Sequence, residues 1–239
     1  MTDTEKYQSL AKYYDKIYEG KDYQADVNVL NELISKYKRN EGIELLDIAC
    51  GTGSHINFLR EKYSCTGVDL NPGMLEVAKE KYPEVHFEVA DMTKLNLEKQ
   101  FDIITCLLSS IGYLLTKENV TLAIKGFAKH LKPGGIVLIE LWLSKEIFRA
   151  GEPHITTYKD SDLIITRVNT SKVQGDISTF DMHYLVAERG KEVEHFVEHH
   201  ELAMFPKEFF VNLMKENDLE IHQYDEGIFY RGLVIGVKK

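Results

Sequence analysis

Between residues 44 and 142, five short apolar runs, at 44–49, 65–69, 85–89, 102–107 and 135–142, are separated by stretches with helical spacing near 54–62, 73–81 and 117–131. Strands that alternate with helices in this way pair in parallel, because the chain must cross a sheet face to return in the same direction. The expected fold class is α/β, with helices on both faces of the sheet. Two helical patterns come first, at roughly 4–19 and 22–38, the second with Val27, Leu30, Ile34 and Tyr37 at helical spacing. "KPGG" at 132–135 predicts the end of the third helix, ahead of the strand "IVLIELW". From about 151 to 204 the rhythm changes to β-type runs divided by "KDSD", "QGD" and "ERGKE", which predicts an antiparallel set. A helix at 206–217 and strands at 219–225 and about 229–238 finish the pattern.

A chain of 239 residues, 44% of them hydrophobic, can bury a substantial core, and no Pro, Gly or Ser linker divides it; one principal domain is expected. A net charge of -9 disfavours nucleic acid as a partner, because such binding rests on Lys and Arg contacts to phosphate. A small-molecule substrate fits better. No run approaches the ~18 apolar residues of a membrane span, and the polar N-terminus lacks a signal peptide's pattern, so no membrane partner and a cytoplasmic location are expected. Cys50, Cys65 and Cys106 are odd in number and lie in or beside apolar runs, which suits reduced thiols.

The segment "LLDIACGTGSH", residues 45–55, runs a strand into two glycines and then a helix. Such a turn presents backbone N–H groups and a positive helix end to a ligand, with no Cβ at Gly51 or Gly53 to hold it away. A purely structural turn would look the same. The next strand ends in Asp69, where a carboxylate can accept both hydroxyls of a ribose, and the strand after it is followed by Asp91. Three successive strand ends with small or acidic residues point to a nucleoside-containing cofactor at the carboxyl edge of the sheet. A dinucleotide fingerprint needs a third glycine where Ile56 stands, and no Gly-Lys-Ser/Thr follows for a P-loop.

With the terminal helix-strand-strand pattern, "LLDIACGTG", "GVDLNPGML" and "ADM" resemble the class I S-adenosylmethionine-dependent methyltransferases over essentially the whole chain. The resemblance implies a Rossmann-like fold with a seven-stranded mixed sheet and S-adenosyl-L-methionine as cofactor, converted to S-adenosyl-L-homocysteine. It implies that Asp47 orders the loop, that Ala49, Gly51 and Gly53 line the methionyl and ribose portion, and that Asp69 binds the ribose hydroxyls. Leu70 would pack on adenine, Asp91 would accept from its amino group beside the Met92 backbone, and Leu107 and Leu108 would flank the methionine moiety. Tyr14, from the aromatic-rich first helix, would reach the transferring methyl, where a ring face is favourable beside a sulfonium; plain core packing is the competing role.

"FDIITCLLSSIGYL", "PGGIVLIELW", "IITRV", "DMHYLVAERG", "HFVEHHELAMF" and "RGLVIGV" resemble more narrowly the N-methyltransferases of dTDP-linked amino sugars. That resemblance implies one methyltransferase domain over 1–239, a helical cap over 1–40, an antiparallel β insertion at 151–204 that covers the site, and a homodimer. It implies a sugar pocket with Tyr113, Trp142 and His183, and phosphate contacts from Arg167 and Arg231. His183 and Tyr184 face opposite ways on a strand, so one of them lines the pocket. Two departures stand out: Tyr113 occupies a position that is often His, and Glu140-Leu141-Trp142 replaces Glu-Pro-Trp. An ordinary phenol is a poor base near neutrality, so Tyr113 orients the substrate, proton removal falls to water, or the substrate differs. Methylation of another metabolite, or S-adenosylmethionine binding without turnover, therefore remain alternatives.

Methyl transfer needs no metal. Of His195, His199 and His200, the first two share a strand face and the third does not, which disfavours a zinc site. Cys50, with no neighbouring base, is expected to pack.

Overall fold

The structure, a computed structural model, describes residues 11–224 and 231–239. Residues 4–10 of the first expected helix, and 225 and 229–230 of the last two strands, lie outside them. Helix α1 covers residues 11–17 and α2 runs Tyr23–Tyr37, capped by Asp22, whose side chain accepts from the Ala25 N–H. The alternation then appears as β1 (Glu44–Ile48), α3 (Ile56–Leu59), β2 (Ser64–Asp69), α4 (Pro72–Lys81), β3 (His86–Val89), β4 (Phe101–Cys106), α5 (Lys117–His130) and β5 (Leu131–Glu140). The β-rich segment is β6 (His154–Lys159), β7 (Leu163–Asn169), β8 (Ser171–Gln174), β9 (Ile177–Glu188) and β10 (Glu194–Ala203). Helix α6 (Lys207–Glu216), β11 (Leu219–Tyr224) and β12 (Leu233–Lys238) follow.

Seven strands form one mixed sheet in the order β11-β12-β5-β4-β1-β2-β3. Its central strands pair in parallel, and β12 runs antiparallel to both β5 and β11. Side-chain alternation divides their apolar residues between two cores. Leu45, Ile103, Ile136 and Leu138 meet Val27, Leu30 and Ile34 of α2, while Leu46, Ile104, Val137 and Ile139 meet α5 and α6. Strands buried on both faces need apolar residues at every position, and this is why these runs read as continuous rather than alternating.

One boundary differs from the sequence pattern. "KPGG" does not end a helix; α5 stops at His130, and Leu131 is already paired with Phe101. The Pro-Gly-Gly stretch is an irregularity inside β5, where the register shifts between Phe101 and Ile103 and Gly134 takes φ +73°. Its bent backbone is held by the Arg39 N–H, which donates to the Gly134 carbonyl at 2.8 Å. Strand pairing here outcompetes a strong local helix-stop signal.

The second sheet is antiparallel, in the order β10-β9-β7-β6, with β8 also on β9. Ile165, Tyr184 and Val186 on its inner face pack against Tyr13 and Ile17 of α1. That helix therefore lies between the two sheets, above the carboxyl ends of β1 and β2. Among the described residues, no helix is long and apolar enough to cross a membrane.

Gly67, in β2, has a packing reason. A Cβ there would lie 2.6 Å from the Phe87 ring and 2.8 Å from Cys50 Sγ, whereas one at Gly20 would meet nothing within 4 Å. Gly67→Ala should lower stability by roughly 1–3 kcal/mol through overpacking, with Gly20→Ala close to wild type, as read by urea unfolding.

Candidate functional site

The carboxyl edge of the main sheet is built from backbone that ordinary side chains disfavour. Ala49 has φ +57°, Gly51 +55° and Gly53 +79°, all in the turn after β1, and Leu108 (+51°) and Ser109 (+60°) repeat the feature after β4. Left-handed non-glycine residues cost about 1–3 kcal/mol each and persist where the surroundings over-determine them. At the first turn the surroundings are clear. The Asp69 carboxylate accepts from the Gly51 N–H and the Asn71 N–H, both at 2.8 Å, and the Cys50 N–H donates to the Val68 carbonyl. A Cβ at Gly51 would point into open space, so the missing side chain leaves room for a ligand rather than for the fold.

Three carboxylates stand in or after β1, β2 and β3 at this edge, each in a different environment. Asp47 is buried, accepts from Thr105 Oγ1 at 2.8 Å, and is pushed up to about 6 by burial. Asp69 is also raised by burial, which outweighs its backbone hydrogen bonds. Asp91, more exposed, is lowered, chiefly by the hydrogen bond from the Thr93 hydroxyl. Leu70 stands 69% exposed at the end of β2, an apolar side chain beside an acidic strand end. Met92 turns its side chain partly into the core beside α5. Leu107 packs its side chain against the core beneath α2, so it can offer the cleft only backbone, while the Leu108 N–H donates to Glu140 Oε2 at 2.7 Å.

Helix α1 is latched over the turn. Asp15 accepts from the Thr52 hydroxyl and pairs with Lys81 of α4 at 2.6 Å. Beneath it, Asp26 of α2 takes Lys21 Nζ at 2.6 Å and His55 Nε2 at 3.0 Å. Burial opposes charge on Asp26, but these two hydrogen-bond partners prevail and leave its carboxyl lowered. Tyr14 is raised well above the usual phenol range, first by burial and then by the neighbouring Tyr18, Tyr23, Tyr113 and Asp69. Those neighbours place Tyr14 between Asp69 and Tyr113.

At that far end, Tyr113 Oη lies 2.8 Å from His200 Nδ1, and His200 stacks on Phe180. Trp142 donates to Ser178 Oγ at 2.9 Å and carries the Arg231 guanidinium 5.2 Å above its ring. Arg231 approaches Glu140 at 3.8 Å and Ser109 Oγ at 3.3 Å. Arg167, on the inner face of β7, donates to Tyr18 Oη and Thr156 Oγ1, each at 3.1 Å. No carboxylate lies within ion-pair distance of Arg167 among the described residues.

His183 is corrected. It is exposed on the outer face of β9, stacked on His195, whereas Tyr184 faces inward toward α1 and Arg167. Strand alternation decides between the two, and the buried neighbour is the tyrosine. His199 pairs with Asp181 on the same outer face. Among the described residues, no group of three His, Cys, Asp or Glu is placed to hold a metal. Cys50 is raised well above the usual thiol range by burial, as suits a packing thiol. Glu198 and His200, which the strand period separates from His195 and His199, face the Tyr113 end of the cleft, a contact that no sequence signal shows.

A strand, a glycine turn with room at its Cβ, a part-buried carboxylate at the end of the next strand and an aromatic helix above them fit a class I S-adenosylmethionine-dependent methyltransferase. Residues 45–135 match a methyltransferase domain family. The chain is 32% identical to the dTDP-3-amino-3,4,6-trideoxy-alpha-D-glucopyranose N,N-dimethyltransferase of Streptomyces venezuelae, over 95% of this chain and 97% of that one. It is 30% identical to the dTDP-3-amino-3,6-dideoxy-alpha-D-glucopyranose N,N-dimethyltransferase of Streptomyces fradiae, over 95% and 90%. The crystal structure of Streptomyces venezuelae DesVI superposes with a TM-score of 0.90 at 31% identity, covering 96% of this chain and 98% of that one. The chain belongs to the DesVI-type methyltransferases.

The raised Asp47 carboxyl has a stability consequence. Its folded value lies above the ordinary value, so the folded state binds the proton more tightly and stability falls as pH rises from about 4 to about 6. In the ligand-free protein, Asp47→Asn should therefore gain on wild type by about 2 kcal/mol between pH 4 and pH 7. Urea unfolding at the two pH values reads this; parallel profiles would mean that folding leaves the Asp47 carboxyl at its ordinary value.

Proposed function

We propose that this methyltransferase carries a methyl group from S-adenosylmethionine to the amino nitrogen of a dTDP-linked amino sugar. Similarity over nearly the full length to two enzymes named for that reaction carries the reading. Arg167 supports it: a part-buried guanidinium whose direct hydrogen-bond partners are hydroxyls suits an incoming diphosphate, which guanidinium can grip through two N–H groups.

In this reading Asp69 takes the ribose hydroxyls, Leu70 and Asp91 the adenine, and Gly51 the space beside the sulfur-bearing chain, while Gly53, where a Cβ would lie 3.1 Å from the Tyr82 ring, serves the turn itself. The bound cofactor supplies a methyl carbon activated by a sulfonium leaving group. The protein's own work is alignment and exclusion of water. Tyr14 closes the cleft from above, and Trp142, Tyr113 and Arg231 shape the acceptor end. The first forty residues act as a cap and 151–204 as a cover over a single methyltransferase domain.

Incubation with S-adenosylmethionine and dTDP-3-amino-3,6-dideoxyglucose should give an acceptor carrying one or two added methyl groups by mass spectrometry. Binding of S-adenosylhomocysteine without methylation of any dTDP-amino sugar would overturn the acceptor assignment. Arg167→Gln should raise KM for the acceptor about 10- to 100-fold, the equivalent of one charge-assisted hydrogen bond, and leave S-adenosylhomocysteine affinity within a few-fold.

A further inference from the structure

The inner face of β10 carries two polar groups that the proposed binding of cofactor and diphosphate does not use. Glu198 is 8% exposed, and neither carboxylate oxygen has a hydrogen-bond partner among the described residues; the same is true of His200 Nε2. The two groups face each other, with His200 Nε2 3.5 Å from Glu198 Oε2. On the other side of the imidazole, Nδ1 lies 2.8 Å from Tyr113 Oη. A buried carboxylate without other partners is unfavourable unless a positive charge or a donor comes to it.

The nearby carboxylate, 3.5 Å from Nε2 though not hydrogen-bonded to it, favours a proton on Nε2 of the neutral ring, which leaves Nδ1 to accept from the Tyr113 hydroxyl. If His200 then takes a second proton at Nδ1, the resulting imidazolium lies beside Glu198 and its charge is balanced. A hydroxyl, an imidazole and a carboxylate in series are the parts with which an otherwise weak hydroxyl acid-base group is made effective. Tyr113 is 50% exposed and stands at the same end of the cleft as Tyr14, so the hydroxyl end of the series is the accessible one and the carboxylate end is buried.

We infer that Glu198 and His200 form a proton-accepting relay that works through Tyr113 on the acceptor amine. This rests on the methyl-transfer reading given above. An amine held as ammonium has no lone pair for attack. In the relay, one ammonium proton passes to Tyr113 Oη while the phenol's own proton moves to His200 Nδ1. The freed nitrogen lone pair forms the N–C bond to the methyl as the C–S bond breaks, and that bond's electron pair stays on sulfur. The imidazolium returns its proton to solvent before the next transfer. Next to His200 are Glu198 on its own strand and Tyr113 on the 110–113 turn, while Tyr184 on β9, which meets Arg167, acts on Glu198. Arg231 and Glu140, close to each other, are further charged groups at that end among the described residues.

Two measurements test the relay. In transfer to dTDP-3-amino-3,6-dideoxyglucose, Tyr113→Phe and His200→Gln should each lower kcat about 100-fold, a typical general-base contribution, and the double variant should be no slower than either. S-adenosylhomocysteine affinity should hold in all three as a check on folding. Glu198→Gln removes the charge that favours the imidazolium, so the rising limb of the kcat–pH profile should move to lower pH. Single variants within three-fold of wild type, or a limb unmoved by Glu198→Gln, would overturn the relay. The second measurement needs no acceptor: nitrogen-15 resonances of His200 with S-adenosylhomocysteine bound. Neutral His200 should be protonated on Nε2, with a titration midpoint that falls in Glu198→Gln; protonation on Nδ1, or an unchanged midpoint, would overturn it. If wild type transfers no methyl to the sugar, the acceptor assignment fails and the resonances decide the relay alone.

Discussion

A single carboxylate ties the working edge of this protein together. Asp69 ends β2, and its two oxygens take the N–H groups of Gly51 and Asn71, while its own carbonyl takes the N–H of Ala90. Asn71 in turn caps α4. The glycine turn, the start of a helix and the exit from β3 are thus all referred to one residue. Charge-assisted hydrogen bonds are short and directional, which suits them to hold backbone in conformations it would not choose. The left-handed residues at 49, 51 and 53 persist in that frame, and the space beside Gly51 is its product.

Helix α1 is the second organising element. Its Asp15 side reaches the glycine turn and Lys81, while Tyr13 and Ile17 pack on the second sheet. Lys12 and Lys16 add contacts to Glu188 and the Tyr158 hydroxyl, on the same sheet. The cofactor region and the antiparallel sheet are therefore coupled through a helix that belongs to neither. Tyr14 on its remaining side and Tyr18 just beyond its end lie 4.7 Å apart with rings tilted by 42°, and Tyr18 carries Arg167. An aromatic path leads in this way from the ribose end toward the cationic side chain.

The sheet and the turns at its carboxyl edge were legible because their signals are local. A buried parallel strand is apolar throughout, and the left-handed turn after β1 uses glycine at 51 and 53. The "KPGG" signal was equally local and misleading, because the partner that decides it, Phe101, lies thirty residues earlier. Leu107 reads as a cofactor neighbour by position, yet α2 claims its side chain. The substrate end was less legible for the same reason. Tyr113 meets His200, and Trp142 meets Ser178, across separations that carry no periodic trace. Alternation along β9 did limit His183 and Tyr184 to one inward side chain, but only the packing of α1 shows which.

Neighbouring residues on β10 live in opposite surroundings. His199 sits outside with Asp181, and His200 inside with Tyr113, held apart by the pairing of 199 with 181 and of 200 with 180. β10 is an edge strand, fixed from one side only, and it is reached through the short connection at 189–193. Because a slip of one residue turns every side chain of a strand over, the register of β10 on β9 decides which histidine faces inward. The connection that sets this register is itself specified, with Gly190 at φ +78° and Arg189 paired with Asp162, so trading His200 for His199 would require that turn to be rebuilt.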